Sequence, residues 1–70
     1  MSEFIAIQLN GESLRVRTGL SLEELVQERG HASHEVAVEV NRELVPRAAR
    51  SQHQLQEADS IEFVTLVGGG

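Results

Sequence analysis

The chain has 70 residues, 40% of them hydrophobic, with two Phe, no Trp, Tyr or Cys, and a formal net charge of −5. That is enough for one domain with an aliphatic core; it excludes a disulfide scaffold, a thiolate metal site and a cysteine nucleophile. All basic residues are Arg and none is Lys, so the chain offers no side-chain amine for isopeptide or Schiff-base chemistry, and an acidic domain without a basic stripe suits no nucleic acid.

The segment from Phe4 to Leu9 alternates, with Ile5, Ile7 and Leu9 on one side and Phe4, Ala6 and Gln8 on the other, the period of a strand. Asn10-Gly11 follows, a strong hairpin signal because both residues accept positive φ. The return strand, Ser13 to Arg17, sends Leu14 and Val16 inward. Ser21 then stands as a helix N-cap with Glu24 completing a capping box, and Leu20 and Leu25 occupy the positions of a hydrophobic staple. Leu22, Leu25 and Val26 form the buried stripe, Glu23, Glu24, Gln27 and Glu28 face water, and Gly30 stops the helix.

His31 to Glu35 reads as a loop. Val36, Val38 and Val40 alternate with Ala37 and Glu39 as a third strand, and Asn41-Arg42-Glu43 turns the chain into a short strand, Leu44-Val45, ended by Pro46. Arg47 to Ala58 is irregular or briefly helical, with Leu55 as its one strong anchor. The last strand, Ser60 to Val67, places Ile61, Phe63 and Thr65 on one face and Glu62, Val64 and Leu66 on the other. The order predicts an α+β fold of β-grasp type: a mixed four- to five-stranded sheet with one main helix packed on one face. Residues 1–67 form the single domain and 68–70 a flexible glycine tail.

The tail is the chemically distinctive feature. Gly68, Gly69 and Gly70 follow directly on a strand, and glycine can thread a slot that other residues cannot. Three extended residues reach about 10 Å. A terminal carboxylate is ionised at neutral pH and is a poor acyl electrophile until it receives a better leaving group.

The stretch Val38-Glu39-Val40-Asn41-Arg42-Glu43-Leu44-Val45-Pro46-Arg47 and the ending Asp59-Ser60-Ile61-Glu62-Phe63-Val64-Thr65-Leu66-Val67-Gly68-Gly69-Gly70 resemble the ThiS family, the sulfur carrier proteins of thiamine biosynthesis. Leu9-Asn10-Gly11 and the helix start at Ser21 match as well, so the resemblance spans essentially the whole chain. The related molybdopterin-synthase small subunit (MoaD) shares the fold and a Gly-Gly end. One departure stands out: Glu57-Ala58-Asp59 replaces an Asp-Gly-Asp turn common in relatives, and Ala58 would resist positive φ.

The resemblance implies that an E1-like, ThiF-like enzyme consumes ATP to adenylate Gly70. Sulfur from a persulfide donor enzyme then displaces AMP to leave a thiocarboxylate, and a ThiG-like thiazole synthase receives the sulfur. Gly68 and Gly69 would thread the tail into these active sites. The carrier would be a protein cosubstrate, not an enzyme, would bind no cofactor or metal itself, and would be a monomer when free. A molybdopterin-type carrier, a ubiquitin-like protein modifier and a β-grasp interaction module without tail chemistry are the alternatives.

Strand parity turns Phe4, Ala6, Val64 and Leu66 toward the sheet face that the helix does not cover. These four residues are the expected partner-docking patch, just upstream of the tail. His31 and His34, in a loop without Cys or a convergent acidic cluster, read as solvated, and His53 has no nucleophile partner. No apolar run approaches a membrane span and the N-terminus carries no signal-peptide pattern, so the expected location is cytoplasmic, away from membranes.

Overall fold

A computed structural model describes residues 3–66. Five strands, β1 (Phe4–Leu9), β2 (Glu12–Arg17), β3 (Val36–Val40), β4 (Glu43–Leu44) and β5 (Ser60–Thr65), form one sheet in the order β2-β1-β5-β3-β4. The helix α1 spans Leu22–Glu28, and 3-10 turns cover Ser33–Glu35 and Arg47–Gln52. β1 pairs antiparallel with β2 and parallel with β5, while β3 runs antiparallel to both β4 and β5. This is the mixed β-grasp sheet expected from the sequence, with the first and last strands adjacent in its interior.

Local signals explain most of the elements. Asn10 (φ 50°) and Gly11 (φ 84°) form the two-residue turn between Leu9 and Glu12, and Asn41 (φ 52°) and Arg42 (φ 70°) do the same between Val40 and Glu43. Both pairs have the double positive φ that matches the twist of a hairpin. At the helix, the Glu24 N–H donates to Ser21 Oγ (3.1 Å) and the Ser21 N–H to Glu24 Oε1 (2.9 Å), closing the capping box. Those bonds hold the Glu24 carboxyl below its ordinary value of 4.5, with the Ser21 backbone contribution the largest.

The core lies between the sheet and α1. Ile7, Leu9, Val16, Val36, Val38, Val40 and Ile61 come from the strands, Leu22, Leu25 and Val26 from the helix, and Leu20, Val45 and Leu55 close its edges. The segment after the second 3-10 turn is tied along the helix start: the Leu22 N–H donates to the His53 carbonyl (2.8 Å) and the Leu55 N–H to the Leu20 carbonyl (3.1 Å).

Several details differ from the sequence reading. β4 is Glu43–Leu44 rather than Leu44-Val45, because the two-residue turn pairs Glu43 with Val40. Leu55 is not the sole anchor between Arg47 and Ala58. Arg50 is also buried, at 3% exposure, and donates to the carbonyls of Ser33 (2.9 Å) and Val36 (2.7 Å). His31 is not simply solvated; its ring stands edge-on to Phe63 at 5.7 Å between centroids. Ala58 does adopt positive φ (71°), so the turn keeps a glycine-type conformation with an alanine in it.

Candidate functional site

The glycines at 68, 69 and 70, on which the expected chemistry falls, lie outside the described residues, as does Val67. What the structure positions is the root from which they extend. β5 begins between two neighbours, with Gln8 opposite Ser60 on one side and Ile61 opposite Val40 on the other. Its entry is clamped by Asp59, a buried carboxylate that accepts from Asn41 Nδ2 (3.0 Å) and from the Gln56 N–H (2.8 Å). Asn41 Oδ1 in turn accepts from the Ser60 N–H (3.0 Å). Every polar atom in this cluster has a partner of complementary character, which is the condition for a buried carboxylate to hold a loop in one geometry.

At its other end β5 keeps one strand neighbour. β1 pairs with it at Gln8 and Leu9. The Asn10 N–H then donates to the Ile61 carbonyl (2.9 Å), and Asn10 Oδ1 accepts from the Phe63 N–H (2.9 Å). Past that point the hairpin turns away, while β3 continues beside β5 as far as Val36 opposite Thr65. The Leu66 N–H donating to the Glu35 carbonyl (2.8 Å) is the last rung among the described residues.

The four expected docking residues are all exposed, Phe4 at 44%, Val64 at 51%, Leu66 at 53% and Ala6 also on the surface. They do not form one patch. With Gln8 opposite Ser60 in a parallel pair, Phe4 lies eight residue levels from Val64, about 26 Å along the sheet. Phe4 and Ala6 therefore belong to the far end, where the Arg15 guanidinium sits 5.2 Å from the centre of the Phe4 ring. Parity reports which face a residue occupies, whereas the offset between two strands is set by their pairing.

Val64 and Leu66 instead share their end with a residue the sequence reading left out. Leu44 is 65% exposed, pairs with Glu39 on β3, and lies on the same face. A groove of about 230 Å³ runs there, lined by Ala37, Leu44, Val45, Pro46, Arg47 and Leu66 among others. The Leu44-Val45-Pro46-Arg47 segment is thus brought beside the root of the tail. The hairpin turn before it was the available clue, since it fixes Leu44 on the outward face.

A small mixed five-stranded sheet with one helix on one face, its last strand in the interior, defines the β-grasp class of protein. The crystal structure of the thiamine biosynthesis protein ThiS from Geobacter metallireducens is similar over 94% of this chain and all of that one, with a TM-score of 0.80 and 28% identity. A sequence profile of the ThiS family matches residues 5–70. The chain belongs to the ThiS family. The sulfur carrier protein ThiS of Escherichia coli is 27% identical over 64 residues, 91% of this chain and 97% of that protein. A thiazole synthase of Magnetococcus marinus is 44% identical over 64 residues, which is 91% of this chain and 20% of that protein. The chain thus spans about a fifth of that synthase's length.

Proposed function

We propose that this protein is a sulfur carrier that supplies the sulfur of the thiazole ring of thiamine. Its Gly70 carboxylate is activated as an acyl-adenylate by an E1-like enzyme that consumes ATP. The outer sulfur of a donor enzyme's persulfide attacks the acyl carbon and expels AMP to give an acyl disulfide. A thiol reductant cleaves that S–S bond to release the thiocarboxylate and leaves a disulfide on the donor, and a thiazole synthase takes the sulfur. The carrier is a cosubstrate in this scheme. It contributes a held-out acyl group, while adenylation and sulfur transfer take place in the active sites of its partners. It acts in the cytoplasm, as a monomer between encounters.

The observation that carries the reading is the asymmetry of β5: its entry is clamped by Asp59 and Asn41 on a closed core, and its far end, bonded to Glu35 at Leu66, is followed in the sequence by Val67 and three glycines. Membership of the ThiS family supports the chemistry assigned to that end. The relationship to part of a thiazole synthase supports the identity of the acceptor. Docking is assigned to Val64, Leu66 and Leu44 with the adjoining groove. A contiguous apolar surface of this kind is suited to excluding water around a contact made beside an active site.

The test is an intact-mass measurement after incubation with the adenylating enzyme, ATP, a persulfide donor and a thiol reductant. Exchange of one oxygen for sulfur at Gly70 is expected. Truncation of Gly70 should abolish it, by at least about 100-fold, with an unchanged thermal melt. Continued loading of the truncated chain would refute the assignment. A stable amide to a lysine of another protein would replace it with a modifier, and sulfur delivery only to a molybdopterin precursor with the related carrier.

A further inference from the structure

The hydrogen-bond parity of β5 fixes what its last residues offer. The Asn41 N–H donates to the Ser60 carbonyl and the Leu66 N–H to the Glu35 carbonyl. In an antiparallel pair the bonded positions alternate, so the main-chain groups of Ser60, Glu62, Val64 and Leu66 face β3. Those of Ile61, Phe63 and Thr65 face the β1 side. There the Ile61 carbonyl is taken by the Asn10 N–H and the Phe63 N–H by Asn10 Oδ1. Among the described residues nothing pairs with the Phe63 carbonyl or with the N–H and carbonyl of Thr65.

This margin differs from the other two in the sheet. The outer edge of β2 carries Glu12, Arg15 and Arg17, and β4 is two residues long with Pro46 close behind it. Charge, brevity and proline are the usual devices that stop a sheet edge from recruiting another strand. The overhang of β5 has none of them. Its sequence, Phe63-Val64-Thr65-Leu66, is uncharged and rich in residues that favour strands.

We propose that the overhanging end of β5 is completed by an extended main-chain segment of the thiazole synthase, which adds to the sheet on the β1 side of Phe63 and Thr65. The proposal rests on the carrier reading and adds how the tail is aligned. Strand addition uses main-chain bonds for affinity and alternate side chains for specificity. Here the alternate side chains are Val64 and Leu66 on the open face, so the incoming segment presents apolar residues to them. Because strand register is quantised at about 3.3 Å per residue, pairing at Thr65 sets how far residues 67–70 enter the active site. The relationship to part of a thiazole synthase supports that enzyme as the partner.

Proline at position 65 isolates the interaction. It removes the N–H that faces the open edge and leaves the β3 bonds of Val64 and Leu66 in place, and the extended conformation it favours at the preceding residue is the one Val64 already has. The experiment compares wild type, Thr65→Pro and Thr65→Ala for affinity to the thiazole synthase of the same organism. Thermal melts serve as the fold control, and amide exchange is followed in wild type. Thr65→Pro should bind about 10-fold or more weakly and Thr65→Ala within about 3-fold. The Thr65 amide should exchange at least 10-fold more slowly in the complex.

Wild-type affinity in a folded Thr65→Pro chain would overturn the proposal. So would an unprotected Thr65 amide in the bound wild type, a result that does not depend on the variant folding. A chain that binds with Thr65 protected yet never acquires sulfur would remove the carrier reading and retain the strand pairing. One that delivers sulfur while Thr65 exchanges freely would do the reverse.

Discussion

The two ends of β5 are built on opposite terms. At Asp59–Ile61 the strand lies between β1 and β3, its preceding carboxylate is buried, and its polar neighbours are mutually satisfied. At Phe63–Leu66 it has a strand on one side, and its outward side chains, Val64 and Leu66, are about half exposed. Stability is concentrated at the entry and availability at the exit, so the same six-residue strand can anchor a fold and leave one margin of its far end uncovered.

The sharpest way to break the contrast is at the entry. Asp59→Ala leaves the Asn41 carboxamide and the Gln56 N–H without their acceptor and should cost about 2–3 kcal/mol. That is a fall of about 10–15 °C in Tm for a domain of this size. A loss below about 1 kcal/mol in a thermal or urea melt would mean the clamp is ornamental. At the exit, Leu66→Asp should leave Tm within about 2 °C and reduce adenylation about 10-fold, whereas Phe4→Asp, at the far end of the sheet, should reduce it less than 2-fold. Equal losses in the two variants would restore a single continuous docking patch and discard the register argument.

Smaller effects refine the picture near the entry. Ala58 sits at φ 71° one residue before Asp59. Ala58→Gly removes a left-handed strain of about 1–2 kcal/mol and adds the extra chain entropy of glycine, for a net gain of about 0.5–1 kcal/mol measurable by urea melt. The smallest effect is at the helix start, away from β5. Glu24 has a carboxyl held below its ordinary 4.5 by the Ser21 bonds, so its contribution is present above that value and is lost as pH falls through the lowered one. The Tm gap between wild type and Glu24→Gln should therefore be present at neutral pH and close in acid. A gap independent of pH would show that the charge plays no part.

How much of this was legible in the sequence follows the range of each signal. The hairpin at Asn10-Gly11, the capping box and the inward parity of Ile61 and Phe63 are local, set by residues within a few positions, and the structure has them as read. The resistance of Ala58 to its turn was legible as a conflict. What was not legible is long-range. Nothing in Phe4 or Val64 announces the eight-level offset between them, which is decided by where β1 and β5 meet. Arg50 gave no sign of burial because its partners are the carbonyls of Ser33 and Val36, and carbonyls look the same under any sequence. Leu44 was placed in a strand, yet its outward face and closeness to Leu66 depended on the Asn41-Arg42 turn and the neighbouring groove together.

The position of β5 inside the sheet also has a mechanical side. An enzyme that draws on the C-terminus pulls along the axis of a strand flanked by β1 and β3 over its first residues. Such a load strains the flanking rungs together, in shear, and does not peel them off one after another as it would from an outer strand. Under the function proposed above, this placement lets the domain be handled repeatedly by its end without unravelling.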